Sequence, residues 1–194
     1  MRLLSCNEQP DQPVSLLDND YREEEDSLVR FDIDYFVCCI DEDRKRQYKV
    51  IKRPDLEDRQ NPRPDYLIED SIIGHLIAVE YARFFESEED RESEATKIKR
   101  LDKLSSAGSA LICVLKTPTP KELGERISQF ILGKLSKRQF QNYGHCERIL
   151  LARNRWAGVR VESFFKSEPY LKLPKDLECD HFYIIVSRKL LEVF

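Results

Sequence analysis

Two short apolar runs, each carrying one acid at a defined place, constrain this chain more than any other feature. The first is Arg63-Pro64-Asp65-Tyr66-Leu67-Ile68-Glu69 and the second is His75-Leu76-Ile77-Ala78-Val79-Glu80-Tyr81-Ala82-Arg83. Runs of this length rich in β-branched and aromatic residues read as strands. The connection Glu69-Asp70-Ser71-Ile72-Ile73-Gly74 is short enough for an antiparallel hairpin. Such a hairpin lays the carrier of Asp65 beside the carrier of Glu80. Asp65 stands where the first strand begins. Glu80 is embedded in an apolar run, where a carboxylate is costly to bury unless something compensates its charge, and a metal ion is one such partner.

Other elements can be read around this pair. Residues 1–20 mix polar residues with Pro10 and Pro13 and show no sustained period, so they read as a loose leader ahead of a single domain spanning 21–194. In Glu23 to Ile40, Val29, Phe31, Ile33, Tyr35 and Val37 alternate like a strand, while Val29, Ile33, Phe36, Val37 and Ile40 fit a helical stripe. The length and the acidic entry Glu23-Glu24-Glu25-Asp26 favour a helix. Tyr48 to Arg53 reads as a strand closed by Pro54. Residues 86 to about 106 run from acidic to basic, the charge order of a helix. Ala110 to Leu115 is an apolar run stopped by Thr117-Pro118-Thr119-Pro120. Lys121 to about Tyr143 is the best helical pattern, with Leu123, Ile127, Phe130, Ile131 and Leu135 along one stripe. Glu147 to Ala152 and His181 to Val186 are two further strands, flanking an irregular region around Trp156 and Phe164-Phe165.

A chain of 194 residues is long enough for one well-filled core and short for two. With 41% hydrophobic and 35% charged residues, it has the composition of a soluble globular protein. No apolar run approaches the roughly 20 residues that cross a bilayer, and Met1 to Cys6 is too brief for a signal-peptide core. A cytoplasmic location with no membrane contact is expected. Cys6, Cys38, Cys39, Cys113, Cys146 and Cys179 include no CxxC pair and mostly lie in apolar runs, so buried reduced thiols are expected.

The net charge of −4 argues against a surface coated by nucleic acid, yet leaves room for a local groove. Basic residues group at Lys97, Lys99, Arg100 and Lys103, at Lys134, Lys137 and Arg138, and at Arg153, Arg155 and Arg160; their plainest role is to solvate a face. The second group carries more meaning. Continuing the helical stripe puts Lys134 and Arg138 on the side of Ile127 and Ile131, where amines either meet an acidic or phosphate partner or snorkel to water. His75, His145 and His181 have no Asp or Cys at ligand spacing, so no zinc site is expected from them. The chain lacks a GxSxG elbow, a phosphate loop and a dinucleotide fingerprint, which removes the commonest hydrolase, kinase and dehydrogenase classes.

The order helix, strand, strand, strand, helix, strand, with Pro64-Asp65 at the second strand and Glu80 inside the third, resembles the PD-(D/E)XK nuclease superfamily over roughly residues 23–186. The Glu80-Tyr81-Ala82-Arg83 segment, with Arg63-Pro64-Asp65-Tyr66 before it, is also similar to an uncharacterised bacterial branch with a small residue where that family's lysine stands. The resemblance implies an α/β (α+β) fold of restriction-endonuclease-like type, a central mixed β-sheet flanked by helices. It implies Asp65 and Glu80 as ligands of Mg²⁺ or Mn²⁺, with Glu25 of the first helix as a further acid among Glu23, Glu24 and Asp26. It implies hydrolysis of phosphodiester bonds in DNA, with RNA left open as a further substrate. The family's lysine falls at position 82, which here is Ala82, and a methyl group stabilises no developing phosphate charge. Lys134 and Arg138 are the first candidates to supply that cation, with Lys99 next; Arg83 projects to the opposite face. Without such a replacement, the expectation is an inactive module of the same fold that binds nucleic acid or a protein partner. A third reading makes both acids structural, Asp65 capping a turn and Glu80 on a solvated strand face.

Overall fold

The computed structural model describes residues 1–6, 21–54, 62–85, 117–156 and 158–194, with side chains in the first helix described from residue 27 onward. Its elements are β1 (Arg2–Leu4), α1 (Tyr21–Arg44), β2 (Tyr48–Lys52), β3 (Tyr66–Asp70), β4 (Leu76–Phe84), α2 (Pro120–Leu135), β5 (Glu147–Asn154), α3 (Val161–Ser167), a 3-10 turn at Glu168–Tyr170, β6 (His181–Val186) and β7 (Lys189–Glu192). The strands form one seven-stranded sheet in the order β1-β7-β6-β5-β4-β3-β2. Strands β4, β5 and β6 run parallel, while the remaining pairings are antiparallel. This is the expected α/β class with a central mixed sheet.

The hairpin stands as the sequence predicts, with Tyr66 opposite Val79 and Ile68 opposite Ile77. Asp70 sets its turn, one carboxylate oxygen accepting the amides of Ile72 and Ile73 at 2.8 and 3.4 Å. Strands β4 and β5 lie mid-sheet between parallel or hairpin neighbours and are buried on both faces, which explains why both read as near-continuous apolar runs.

Two cores follow from the period-two alternation of the strands. On one face α1 packs Ile33, Phe36, Cys39 and Ile40 onto Ile68, Ile77, Val79, Ile149, Leu151 and Tyr183. On the other, Leu123, Ile127, Phe130 and Ile131 of α2, with Phe164 of α3, cover Ala78, Ala82, Phe84, Leu150, Ala152 and Phe182. The helical reading of α1 therefore holds, and its stripe is the one that faces the sheet.

Several expectations need correction. Residues 2–4 are not a loose leader: they pair antiparallel with β7, Leu4 opposite Leu190. The Cys6 and Cys38 thiols are not both reduced but joined in a disulfide, their Cα atoms 6.0 Å apart; Cys39, Cys146 and Cys179 are free and buried as expected. Helix α2 stops at Leu135 rather than near Tyr143. Its last turn tightens to i→i−3 bonds, Lys137 N–H to Lys134 O and Arg138 N–H to Leu135 O, and Arg138 itself takes a left-handed φ of 57°. The region near Phe164 contains α3, and β7 follows β6 across a turn at Ser187 and Arg188. The segments read as a charged helix (86–106) and an apolar run (110–115) lie outside the described residues. Among the described residues, no helix is long and apolar enough to cross a membrane.

Candidate functional site

Continuing the β3–β4 register by one residue from Tyr66 and Val79 sets Asp65 directly across from Glu80. By strand alternation both acids fall on the α2 face, Asp65 with Leu67 and Glu80 between Ala78 and Ala82. Backbone geometry fixes one of them, since a carboxylate oxygen of Asp65 accepts the amide N–H of Tyr81 at 2.7 Å. That bond orients Asp65 at the strand edge and gives it a structural duty.

Glu80 is not on a solvated face. It is 5% exposed, and its Oε1 accepts a hydrogen bond from the Gln139 side-chain amide at 2.7 Å. The Lys134 ammonium, on the last turn of α2, stands 4.0 Å from the same oxygen and is largely shielded from water. Burial raises the cost of an unpaired carboxylate and strengthens its attraction to a nearby cation. The capping box that starts α2, Thr119 with Glu122 and Pro120 behind it, fixes the helix start, and its apolar stripe against the sheet fixes the helix rotation. Together they aim Lys134 at Glu80. Ala82, next along the same strand face, is 4% exposed and packed in the core, so the space that a lysine there would need is taken up by the packing of α2.

The other predicted positions separate. Arg138 leaves the stripe because the helix has already ended; its left-handed backbone sets it in an exposed turn. That turn lets the chain double back, with Phe140 buried behind it, so that Gln139 rather than Arg138 reaches Glu80. Lys99 lies outside the described residues. Glu25 is in the first turns of α1, the helix of the opposite face, and its side chain also lies outside them. Sequence reasoning missed Gln139, since a single amide in a turn carries no periodic signal.

A second polar cluster stands behind the first, on the α1 face. Asp32 of α1 is 4% exposed and receives the Tyr81 hydroxyl at 2.6 Å and the Arg153 guanidinium at 2.8 Å. Burial pushes the Asp32 carboxyl above its ordinary range, with Arg153 and the Tyr81 hydroxyl opposing. Burial and the Asp32 charge push the Tyr81 phenol upward, so the phenol stays protonated and donates. Tyr81 thus joins both clusters, its amide to Asp65 and its hydroxyl to Asp32.

Asp65 and Glu80 offer hard oxygen donors on adjacent strands, and directly opposed residues have Cβ atoms about 4.5–5.5 Å apart. Oxygen donors of this kind suit a hard ion bonded at about 2.1 Å. Among the described residues, the group of three potential ligands within mutual reach is a different one, Cys6, Cys38 and Glu42. Comparison with protein-family models, with curated proteins and with solved structures finds no match to this chain.

Proposed function

We propose that the chain is a metal-dependent phosphodiesterase of restriction-endonuclease-like fold, acting on DNA or RNA in the cytoplasm. The observation that carries this reading is the Lys134 ammonium beside the buried Glu80 carboxylate, over the alanine that stands in for the family's lysine. The element order α1, β2, β3, β4, α2, β5 supports the same fold.

Asp65 and Glu80 would hold Mg²⁺ or Mn²⁺, which when bound lowers the pKa of a coordinated water and offsets charge on a phosphate. The chain's own groups do the rest. The Tyr81 amide holds Asp65 at the strand edge, and Gln139 fixes the rotamer of Glu80 by bonding Oε1. Lys134, reaching the pair from another element, supplies a preorganised positive charge toward a phosphate, the role that position 82 cannot fill.

A second reading is favoured by one observation: Glu80 is already engaged by Gln139 and shielded from water, as in an inactive module that binds nucleic acid or a protein. Incubation with supercoiled plasmid, single-stranded DNA and RNA, under Mg²⁺ and then Mn²⁺, separates the two. The enzyme reading expects cleavage that Asp65→Ala and Glu80→Gln abolish and that Lys134→Met lowers by about 10²–10³, the scale of removing one preorganised charge-stabilising donor. Absence of cleavage under both metals, with Asp65→Ala indistinguishable from the unaltered protein, overturns it.

A further inference from the structure

On the α1 face, away from Asp65 and Glu80, the Cys6 and Cys38 sulfurs and a Glu42 carboxylate oxygen lie within 4.8 Å of one another. The convergence has a plain origin. Cys38 and Glu42 are one helical turn apart on α1 and so share a face, the i, i+4 spacing by which a helix presents two ligands to one ion. Cys6 arrives from the segment after β1, whose antiparallel pairing with β7 holds it over α1. The cysteines are half-buried and Glu42 is exposed, leaving a side open to solvent. Cys39, the next residue on α1, is free and fully buried in the core against the sheet; it is not a competing ligand.

The geometry points to a redox-gated zinc site formed by Cys6, Cys38 and Glu42. In the disulfide form both sulfurs are committed to each other. A dithiol reductant transfers two electrons and two protons to the bond and closes to its own disulfide, leaving Cys6 and Cys38 as thiols. Binding Zn²⁺ then displaces both thiol protons to solvent, so that two thiolates and the Glu42 carboxylate form a trianionic S₂O set that leaves a singly negative zinc site, with the fourth tetrahedral position left to water. Two thiolates select Zn²⁺ over Mg²⁺ or Ca²⁺, which take oxygen ligands. The Cα separation of 6.0 Å suits sulfurs bonded to one ion at about 2.3 Å. Because the ligands come from the segment after β1 and from α1, either the disulfide or the ion ties the edge strand to the helix, and only the reduced, metal-free chain loses that tie.

The test uses the whole chain, reduced by a dithiol, freed of the reductant under anaerobic conditions and titrated with Zn²⁺ against a chromophoric chelator; Co²⁺ substitution reports the donor atoms. Expected are one Zn²⁺ per reduced chain and a thiolate-to-cobalt charge-transfer band. Both are lost in Cys6→Ser and Cys38→Ser, kept in Cys39→Ser, and absent from the air-oxidised protein. Glu42→Gln, an exposed position that leaves the fold intact, should weaken zinc at least about tenfold while keeping the charge-transfer band. Failure of the reduced protein to bind zinc overturns the assignment, as does a thiolate-to-cobalt band that persists in both cysteine variants or in the oxidised chain; zinc bound without that band reports the carboxylates instead. The outcome is independent of nuclease activity, since Asp65→Ala should leave it unchanged.

Discussion

At the scale of single residues, a close approach governs Gly124, in the first half of α2. A Cβ there would stand 2.8 Å from the Ser167 carbonyl oxygen and 2.8 Å from the Tyr170 Cβ. The neighbours cannot give way easily, because the segment is anchored by the Lys172 amide donating to the Ser128 hydroxyl at 2.9 Å and that hydroxyl donating to the Gly124 carbonyl. Alanine in place of glycine gains about 1 kcal/mol of helix propensity but forces an overpacked contact that costs about 1–3 kcal/mol. Gly124→Ala should therefore lower stability by up to about 2 kcal/mol, while Gly133→Ala, whose added Cβ meets nothing within 4 Å, should raise it by up to about 1 kcal/mol. Paired thermal melts check this, and a gain at both positions would refute the packing argument. The pair Asp65 and Glu80 was legible at this scale because an acid inside an alternating apolar run has a definite face. Gln139 and Arg153 were not, because their partners Glu80 and Asp32 lie 59 and 121 positions away, and no local pattern encodes such a contact.

Elements are joined by one acid in particular. Glu147, the first residue of β5, takes a two-pronged bond from Arg44 on the last turn of α1 at 2.6 and 2.8 Å. It also meets His75 ahead of β4 at 3.1 Å and His181 at the start of β6 at 3.6 Å. Tyr183 and Glu192 close the network, the phenol donating to Glu192 at 2.9 Å. Burial works against the Glu147 charge, but Arg44 and then the two histidines outweigh it and hold the carboxyl below its ordinary 4.5. A depressed acid contributes stability that is present above the unfolded pKa and is lost as pH falls through the lower folded value. Denaturant titrations from pH 7 downward should thus show stability falling below about pH 4.5. Glu147→Gln should remove part of that slope and cost about 1.5–3 kcal/mol at neutral pH, the range for a hydrogen bond to a charged group; an unchanged acid slope would show that other carboxylates dominate. The elements were mostly readable, and the failures have causes. The β6–β7 turn places positive φ at Ser187 and Arg188, where hairpin turns ordinarily announce themselves with Asn or Gly. The early end of α2 is written in backbone bonds after Leu135, while the apolar period alone runs past it.

At the scale of the whole molecule, one sheet separates two cores that share its strands. Ile149 and Leu151 of β5 face α1, whereas Leu150 and Ala152 of the same strand face α2, so neither core can loosen without disturbing the backbone that supports the other. The Tyr81 bonds to Asp65 and Asp32, one through the amide and one through the ring hydroxyl, couple the two sides at a second point. Cooperative unfolding of both cores in one transition follows from that shared backbone. The only tryptophan, Trp156, lies in the α2-face core and reports that side alone. Ile33→Ala, which removes a fully buried side chain from the opposite core, should cost about 2–5 kcal/mol and shift the Trp156 fluorescence midpoint by as much as the far-ultraviolet circular dichroism midpoint. Ile127→Ala, on the Trp156 side, should shift both by a comparable amount. If Ile33→Ala left the fluorescence transition in place while the dichroism split into two steps, the α1 layer would be a separately melting unit and the shared-strand argument would fail.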